Sequence, residues 1–244
     1  MTMAVLRLDK YLADMGVGTR SQVKQKIRKG LIQVNQIVVK EADYKVDLSK
    51  DRILADGQQI SYVQMEYYML HKPAGYVSAT EDKREKTVLE LLPEQKRKDL
   101  FPVGRLDKDT EGLLLITNDG ALAHRLLSPK KHVEKTYFAR IRGMVTEADA
   151  ALFREGLDIG DEKKTLPASL VIQEAGEDIS QVWITLCEGR FHQIKRMFEA
   201  VGKEVVYLKR LSMGPLTLDA SLPVGSCRHL TQQEIERIQT YDRK

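Results

Sequence analysis

Residues 104–112 read Gly-Arg-Leu-Asp-Lys-Asp-Thr-Glu-Gly and run directly into Leu113-Leu114-Leu115-Ile116. Asp107 is set among basic, turn-forming and apolar residues just ahead of a candidate buried strand, which is how a chain presents one catalytic carboxylate on a rigid scaffold. An isolated Asp in such a stretch ordinarily closes a turn by hydrogen bonding its own backbone two residues on, and Asp109 is expected to do that. The two aspartates also alternate, so in an extended segment both would face one side and could hold Mg²⁺ for nuclease chemistry. That reading lacks the further carboxylates or histidines expected of a two-metal site.

Three other segments carry chemical side chains. The run Glu188-Gly189-Arg190-Phe191-His192-Gln193-Ile194-Lys195-Arg196-Met197-Phe198 predicts a helix over 191–201 with Phe191, Ile194, Phe198 and Val201 as its buried stripe. Lys195 then leaves on a neighbouring face, with His192 and Glu199 at i−3 and i+4. Glu134-Lys135-Thr136-Tyr137 opens a strand, where a tyrosine is ordinarily core or sheet surface. Lys72-Pro73-Ala74-Gly75 reads as a turn after the strand Tyr67-Tyr68-Met69-Leu70.

The elements that must position these residues follow from pattern. Further strands are predicted over 112–117, 134–142, 169–174 and 182–187, and helices over 87–92, 121–127 and 146–155. Strands separated by short helices without regular alternation predict an α+β domain with a mostly antiparallel sheet, over residues 65–240. The first 62 residues differ. Leu8, Tyr11, Leu12 and Met15 fall at i, i+3, i+4, i+7, one face of a short helix. Gly16-Val17-Gly18 breaks it, and Thr19 or Ser21 caps a second helix that Gly30 stops. A hairpin with an Asn35-Gln36 turn follows, giving a small α/β domain.

Composition bounds the class. At 244 residues and 42% hydrophobic the chain supports two folded domains, and no apolar run approaches the length of a membrane span. The start has no signal-peptide core. Two cysteines make no disulfide framework, and the five histidines offer no metal-ligand spacing, so a cytoplasmic protein without a metal is expected. The net charge of +4 is uneven: residues 1–40 carry a net of +6, while residues 61–244 balance. That end is suited to a polyanion. Arg7, Lys10, Arg20, Lys24 and Arg28 are the candidate RNA-binding residues.

The 104–112 loop resembles the active-site segment of the pseudouridine synthases, in the branch of RsuA and its large-subunit relatives. Lys72–Gly75, Glu134–Tyr137, Glu188–Phe198 and the tail from Arg210 to Leu230 are each similar to segments of that family in the same order. The first 62 residues resemble the RNA-binding module of a small-subunit ribosomal protein, the S-four module. The resemblance implies that Asp107 is the catalytic residue, as nucleophile or as base at the ribose C2′. It implies that Tyr137 stacks on the target base, that Lys195 pairs with Asp107, and that Arg105 fills the space the extracted nucleotide leaves. His192 would be a positioning residue. No cofactor is implied. The implied partner is ribosomal RNA, with uridine 516 of 16S rRNA in a small-subunit assembly intermediate as the target, acted on by a monomer without a membrane. The alternatives are a site in 23S rRNA or a non-catalytic RNA-binding assembly factor.

Overall fold

A computed structural model describes residues 5–93 and 97–241. The chain divides into two compact units, residues 1–66 with 94–100 and residues 67–93 with 101–244. The short 94–100 segment, expected within the second domain, therefore belongs to the first. The cause is Arg97, almost fully buried, whose guanidinium donates to Tyr62 Oη (3.2 Å) and the Val63 carbonyl (3.3 Å) and pairs with Asp99. It also stands 3.5 Å from Asp14.

The first unit is built as its pattern dictates. Strand β1 (Val5–Arg7) leads into α1 (Leu8–Asp14), which buries Leu8, Tyr11 and Leu12. Helix α2 (Arg20–Arg28) begins at a reciprocal cap: Gln22 N donates to Thr19 Oγ1 at 3.3 Å and Thr19 N to Gln22 Oε1 at 2.8 Å. It buries only Val23 and Ile27. Strands β2 (Ile32–Val34) and β3 (Ile37–Val38) turn through Asn35 and Gln36, both with positive φ, the backbone a two-residue hairpin needs. Strand β4 (Lys45–Asp47) pairs with β1, and β5 (Ile53–Ala55) and β6 (Gln58–Ile60) complete a sheet ordered β3-β2-β5-β6.

The second unit is a sheet of nine strands among the described residues. They are β7 (Tyr67–Lys72), β8 (Phe101–Pro102), β9 (Glu111–Thr117), β10 (Lys135–Arg142), β11 (Ser169–Glu174), β12 (Ile179–Leu186), β13 (Glu204–Met213), β14 (Leu216–Thr217) and β15 (Cys227–His229). The order is β11-β12-β10-β13-β9-β7-β15, with β14 on β13 and β8 on β9. Every pairing is antiparallel except a short parallel contact between β9 and β13. Helices α3 (Gly120–Leu127), α4 (Glu147–Glu155), α5 (Gln193–Ala200) and α6 (Gln232–Thr240) complete the unit. Leu113 and Leu115 of β9 and Tyr67 and Met69 of β7 pack with Leu122 and Leu126 of α3 in one core, so the strand after the Asp107 loop is fixed by burial.

The parallel contact is possible because residue 112 is glycine. A Cβ there would lie 2.2 Å from the Arg210 carbonyl oxygen and 2.6 Å from its nitrogen, and φ is +109°. The segment expected as helix 87–92 is instead a single 3₁₀ turn, Val88–Leu91, held by a Thr87–Glu90 cap. Too few residues separate it from Pro93 for a longer helix. Helix α5 also starts later than the periodicity predicts. His192 adopts a left-handed backbone (φ +48°), which stops the helix and turns Phe191 out, 74% exposed, to stack on the His192 ring at 3.8 Å.

Candidate active site

The loop between β8 and β9 is held from one side by the end of β7. Lys72 is fully buried there, and its ammonium donates to the carbonyls of Pro73 (3.0 Å), Asp107 (3.1 Å), Lys108 (3.3 Å) and Thr110 (2.8 Å). Burial pushes the Lys72 ammonium down to about 8, against the pull of Asp109, Asp107 and Glu111. The Gly75 amide adds a bond to the Lys108 carbonyl at 2.7 Å, and Ser78 Oγ and the Leu106 backbone exchange two more at 2.9 and 3.0 Å. The Lys-Pro turn thus does more than bend the chain. It clamps the loop's backbone so that the Asp107 side chain has one fixed origin.

From the other side comes α5. Lys195 Nζ stands 3.6 Å from Asp107 Oδ2, and His192 Nε2 stands 3.7 Å from Oδ1. The tighter partner of Lys195 is Asp109, both of whose oxygens accept at 2.7 Å. Asp109 is therefore not a plain turn residue, and Lys195 is shared between the two aspartates. Burial pushes the Asp109 carboxyl up, but the Lys195 hydrogen bonds and charge outweigh it and leave it lowered. The turn before α5 is braced separately: Arg190 pairs with Glu188 (3.0 Å) and Asp161 (3.2 Å) and donates to the Lys163 and Lys164 carbonyls.

Asp107 lines a cavity of about 600 Å³, room for a nucleoside and part of its neighbours, and Arg105, Tyr137 and Lys195 line it too. The structure thus brings together the predicted loop, strand and helix residues. Tyr137 is 8% exposed on β10, and Arg105 is exposed with no side-chain partner among the described residues. Two buried basic residues of the lining were not anticipated, Lys135 and Arg210. Burial and the neighbouring Arg210 charge push Lys135 down to about 8. Among the candidate RNA-binding residues, Lys10, Arg20, Lys24 and Arg28 are exposed, and their side chains make no hydrogen bond or ion pair among the described residues. Arg7 differs, because Asp9 occupies its guanidinium through bonds of 3.0 and 3.1 Å.

Comparison with known proteins decides what this geometry belongs to. The sequence profile of the RNA pseudouridylate synthase family matches residues 66–200, and that of the S4 domain matches residues 6–53. The chain belongs to the RNA pseudouridylate synthase family. The synthase is 45% identical over 231 residues to the RNA pseudouridine synthase YtzG of Bacillus subtilis (strain 168), covering 94% of this chain and 97% of that protein. It is 40% identical over 235 residues to the ribosomal small subunit pseudouridine synthase A of Escherichia coli (strain K12), covering 96% of this chain and all of that protein. A solved pseudouridylate synthase superposes with a TM-score of 0.67 at 38% identity, over 96% of the synthase and 99% of that chain. The α+β class, the mostly antiparallel sheet and the S4 domain at the start of the synthase all agree with the reading from sequence.

Proposed function

We propose that this synthase isomerises one uridine of 16S ribosomal RNA to pseudouridine, with Asp107 as the carboxylate that acts at the ribose. The observation that carries this reading is the fixed placement of Asp107 at the wall of a nucleoside-sized cavity, its backbone gripped by Lys72 and its carboxylate within 3.7 Å of two basic side chains. Pseudouridine formation breaks the bond from ribose C1′ to uracil N1, turns the base, joins C1′ to C5, releases the C5 proton and takes up a proton at N1. No redox partner or phosphoryl donor enters. Asp107 serves either by attacking C1′ or by taking a proton from C2′, and a rigidly held carboxylate suits both.

The remaining residues have matching tasks. Tyr137 offers a buried ring for the base to stack on, and Lys195 anchors the positive side of the loop. Extracting the nucleotide costs a few kcal/mol of unstacking, least where the RNA is already irregular. Arg105, exposed and unpartnered, is free to enter the vacated stack. In the S4 domain, Lys10, Arg20, Lys24 and Arg28 present charge to phosphates of structured RNA, which proteins read mainly by shape and backbone. The small-subunit side of the assignment is supported by relatives at 40% identity named as ribosomal small subunit pseudouridine synthases. The reading includes a monomer acting on an assembly intermediate while the RNA is accessible.

Incubation with 16S fragments tritiated at uridine C5 is expected to release tritium, and carbodiimide mapping by primer extension is expected to show one site. Release from 23S fragments alone would move the target to the large subunit. Release from neither would sink the enzyme assignment and leave an RNA-binding assembly role.

A further inference from the structure

The cavity holds two cations that no step above uses. Lys135 and Tyr137 stand two apart on β10 and so share one face of the sheet, while Arg210 on β13 is the cross-strand partner of Tyr137. All three line the cavity. Lys135 is 8% exposed and Arg210 2%. Arg210 Nε donates to the Leu113 carbonyl at 2.8 Å, but its Nη2 is buried without a hydrogen-bond partner. Lys135 Nζ donates to the Val133 carbonyl at 2.9 Å. Neither side chain forms an ion pair among the described residues.

Two like charges buried close enough to repel are costly when the carboxylate that acts on Lys135, Glu188, is itself paired with Arg190, and a guanidinium cannot shed its proton to escape. Such an arrangement in a cleft marks a place where negative charge arrives. An RNA phosphate is a poor fit, because it rides on the polymer backbone and keeps its hydration. A base turned into the cavity is the better candidate, and in this reaction it does not stay neutral. Breaking C1′–N1 leaves the electron pair on N1, and conjugation spreads the charge to O2 and O4. The uracil is then an anion until C5 bonds to C1′; the C5 proton lost afterwards is matched by one taken up at N1.

We propose that Arg210 and Lys135 stabilise the negative charge that uracil acquires as its bond to ribose breaks. This rests on the reading of Asp107 given above. Uridine before cleavage carries no such charge, so the two cations act on the transition state more than on bound substrate and raise the rate more than the affinity. Tyr137, on the same face of β10 as Lys135, offers the ring on which the base stacks. The pair acts on the reacting base itself.

The test uses leaving-group chemistry. Single-turnover rates are measured for wild type, Arg210→Gln and Lys135→Met on two RNAs that differ only in carrying uridine or 5-fluorouridine at the target. Fluorine withdraws electron density, so that base departs as a weaker base and needs less help. The readout is the fraction of target nucleoside no longer joined through N1 after digestion, followed by mass spectrometry. Each variant is expected to lose roughly 100-fold on uridine and about tenfold or less on 5-fluorouridine, with RNA affinity within about twofold. Lys135→Arg, which keeps the charge, is expected to recover most of the rate. Equal losses on both RNAs overturn the proposal. So does a weaker affinity with a flatter salt dependence, which indicates a phosphate contact. Should Arg210→Gln fail to fold, the Lys135→Met and Lys135→Arg pair decides the matter alone. A wild type that forms no pseudouridine sinks the Asp107 reading, whereas an active wild type with equal losses sinks only this one.

Discussion

On helix α2 of the S4 domain, Arg20, Lys24 and Arg28 stand in solvent with no ion pair among the described residues. Around the Asp107 cavity, Lys72, Lys135 and Arg210 are buried within the sheet and the turns at its ends. The same charge does different physics in the two regions. In water an isolated cation acts weakly at contact but adds to a field that attracts a polyanion and releases its counterions. Inside the sheet a cation loses its hydration and must be answered by nearby dipoles or by substrate charge. Lys72 is answered by four carbonyls, and its work is to fix a backbone. Positive charge on the surface governs encounter, and positive charge in the core governs geometry.

If that division is right, the largest effect of any single substitution belongs to the carboxylate whose backbone Lys72 grips. Asp107→Asn is expected to abolish pseudouridine formation, a loss of at least about 10⁴-fold, with RNA affinity unchanged. Asp109→Asn is expected to cost about tenfold, because it frees Lys195 without removing the reacting carboxylate. Parallel tritium-release and filter-binding measurements check both. Comparable losses for the two variants would mean that the loop, and not one carboxylate, carries the chemistry.

Gly112→Ala comes next. It forces a Cβ against the Arg210 backbone at a positive φ, and a loss of about 3 kcal/mol or more of stability is expected in urea unfolding. A near-neutral result would show that the β9–β13 contact yields easily and does not fix the loop.

The pH dependence separates the inner lysines from the outer ones. Lys72 and Lys135 have folded-state values of about 8, below the ordinary 10.5 of a lysine. Between these limits the unfolded chain keeps protons the folded chain has shed, so their contribution to stability rises with pH across that window. Below pH 8 both states are protonated and the full burial penalty is present. Activity is expected to move the opposite way, falling as pH rises through 8, because the cavity loses charge and the loop loses a donor. Unfolding of wild type against Lys135→Met at pH 7 and pH 10 should show the wild type gaining in relative stability. Parallel curves would place Lys135 in water.

The smallest effect is predicted for the surface. Lys24→Ala combined with Arg28→Ala is expected to lower the slope of log affinity against log salt by about one to two, leaving the rate at saturating RNA unchanged. An unchanged slope would mean these side chains never meet phosphate.

Much of this architecture was readable in the chain. A cap at Thr19 or Ser21, the Asn35-Gln36 hairpin turn, strand Ser169–Glu174 and the apolar run after the Asp107 loop are local signals, and the structure carries all of them, with Thr19 as the cap. The central strand β13 and helix α6 were not foreseen. Strand β13 carries Lys209 and Arg210, and charged residues ordinarily mark a surface. Lys72 was hidden for the same reason, since its four acceptors come from residues up to 38 positions away. Phe191 was misplaced because periodicity does not reveal that left-handed His192 delays the start of the helix to Gln193. Local patterning reports which residues are near the reaction, but not which buried cation answers which dipole.

Arg97 carries a consequence for anyone who cuts or recombines this chain. Its guanidinium is enclosed by Tyr62, Val63, Asp14 and Asp99, yet it lies some thirty residues past the apparent boundary near residue 62. A splice at that boundary does not yield a detachable cassette. It strips Asp14 and Tyr62 of their buried partner and leaves the Arg97 guanidinium on the other fragment with only Val63 and Asp99 of its shell. A transplantable version of the S4 domain would have to bring Arg97 and Asp99 with it.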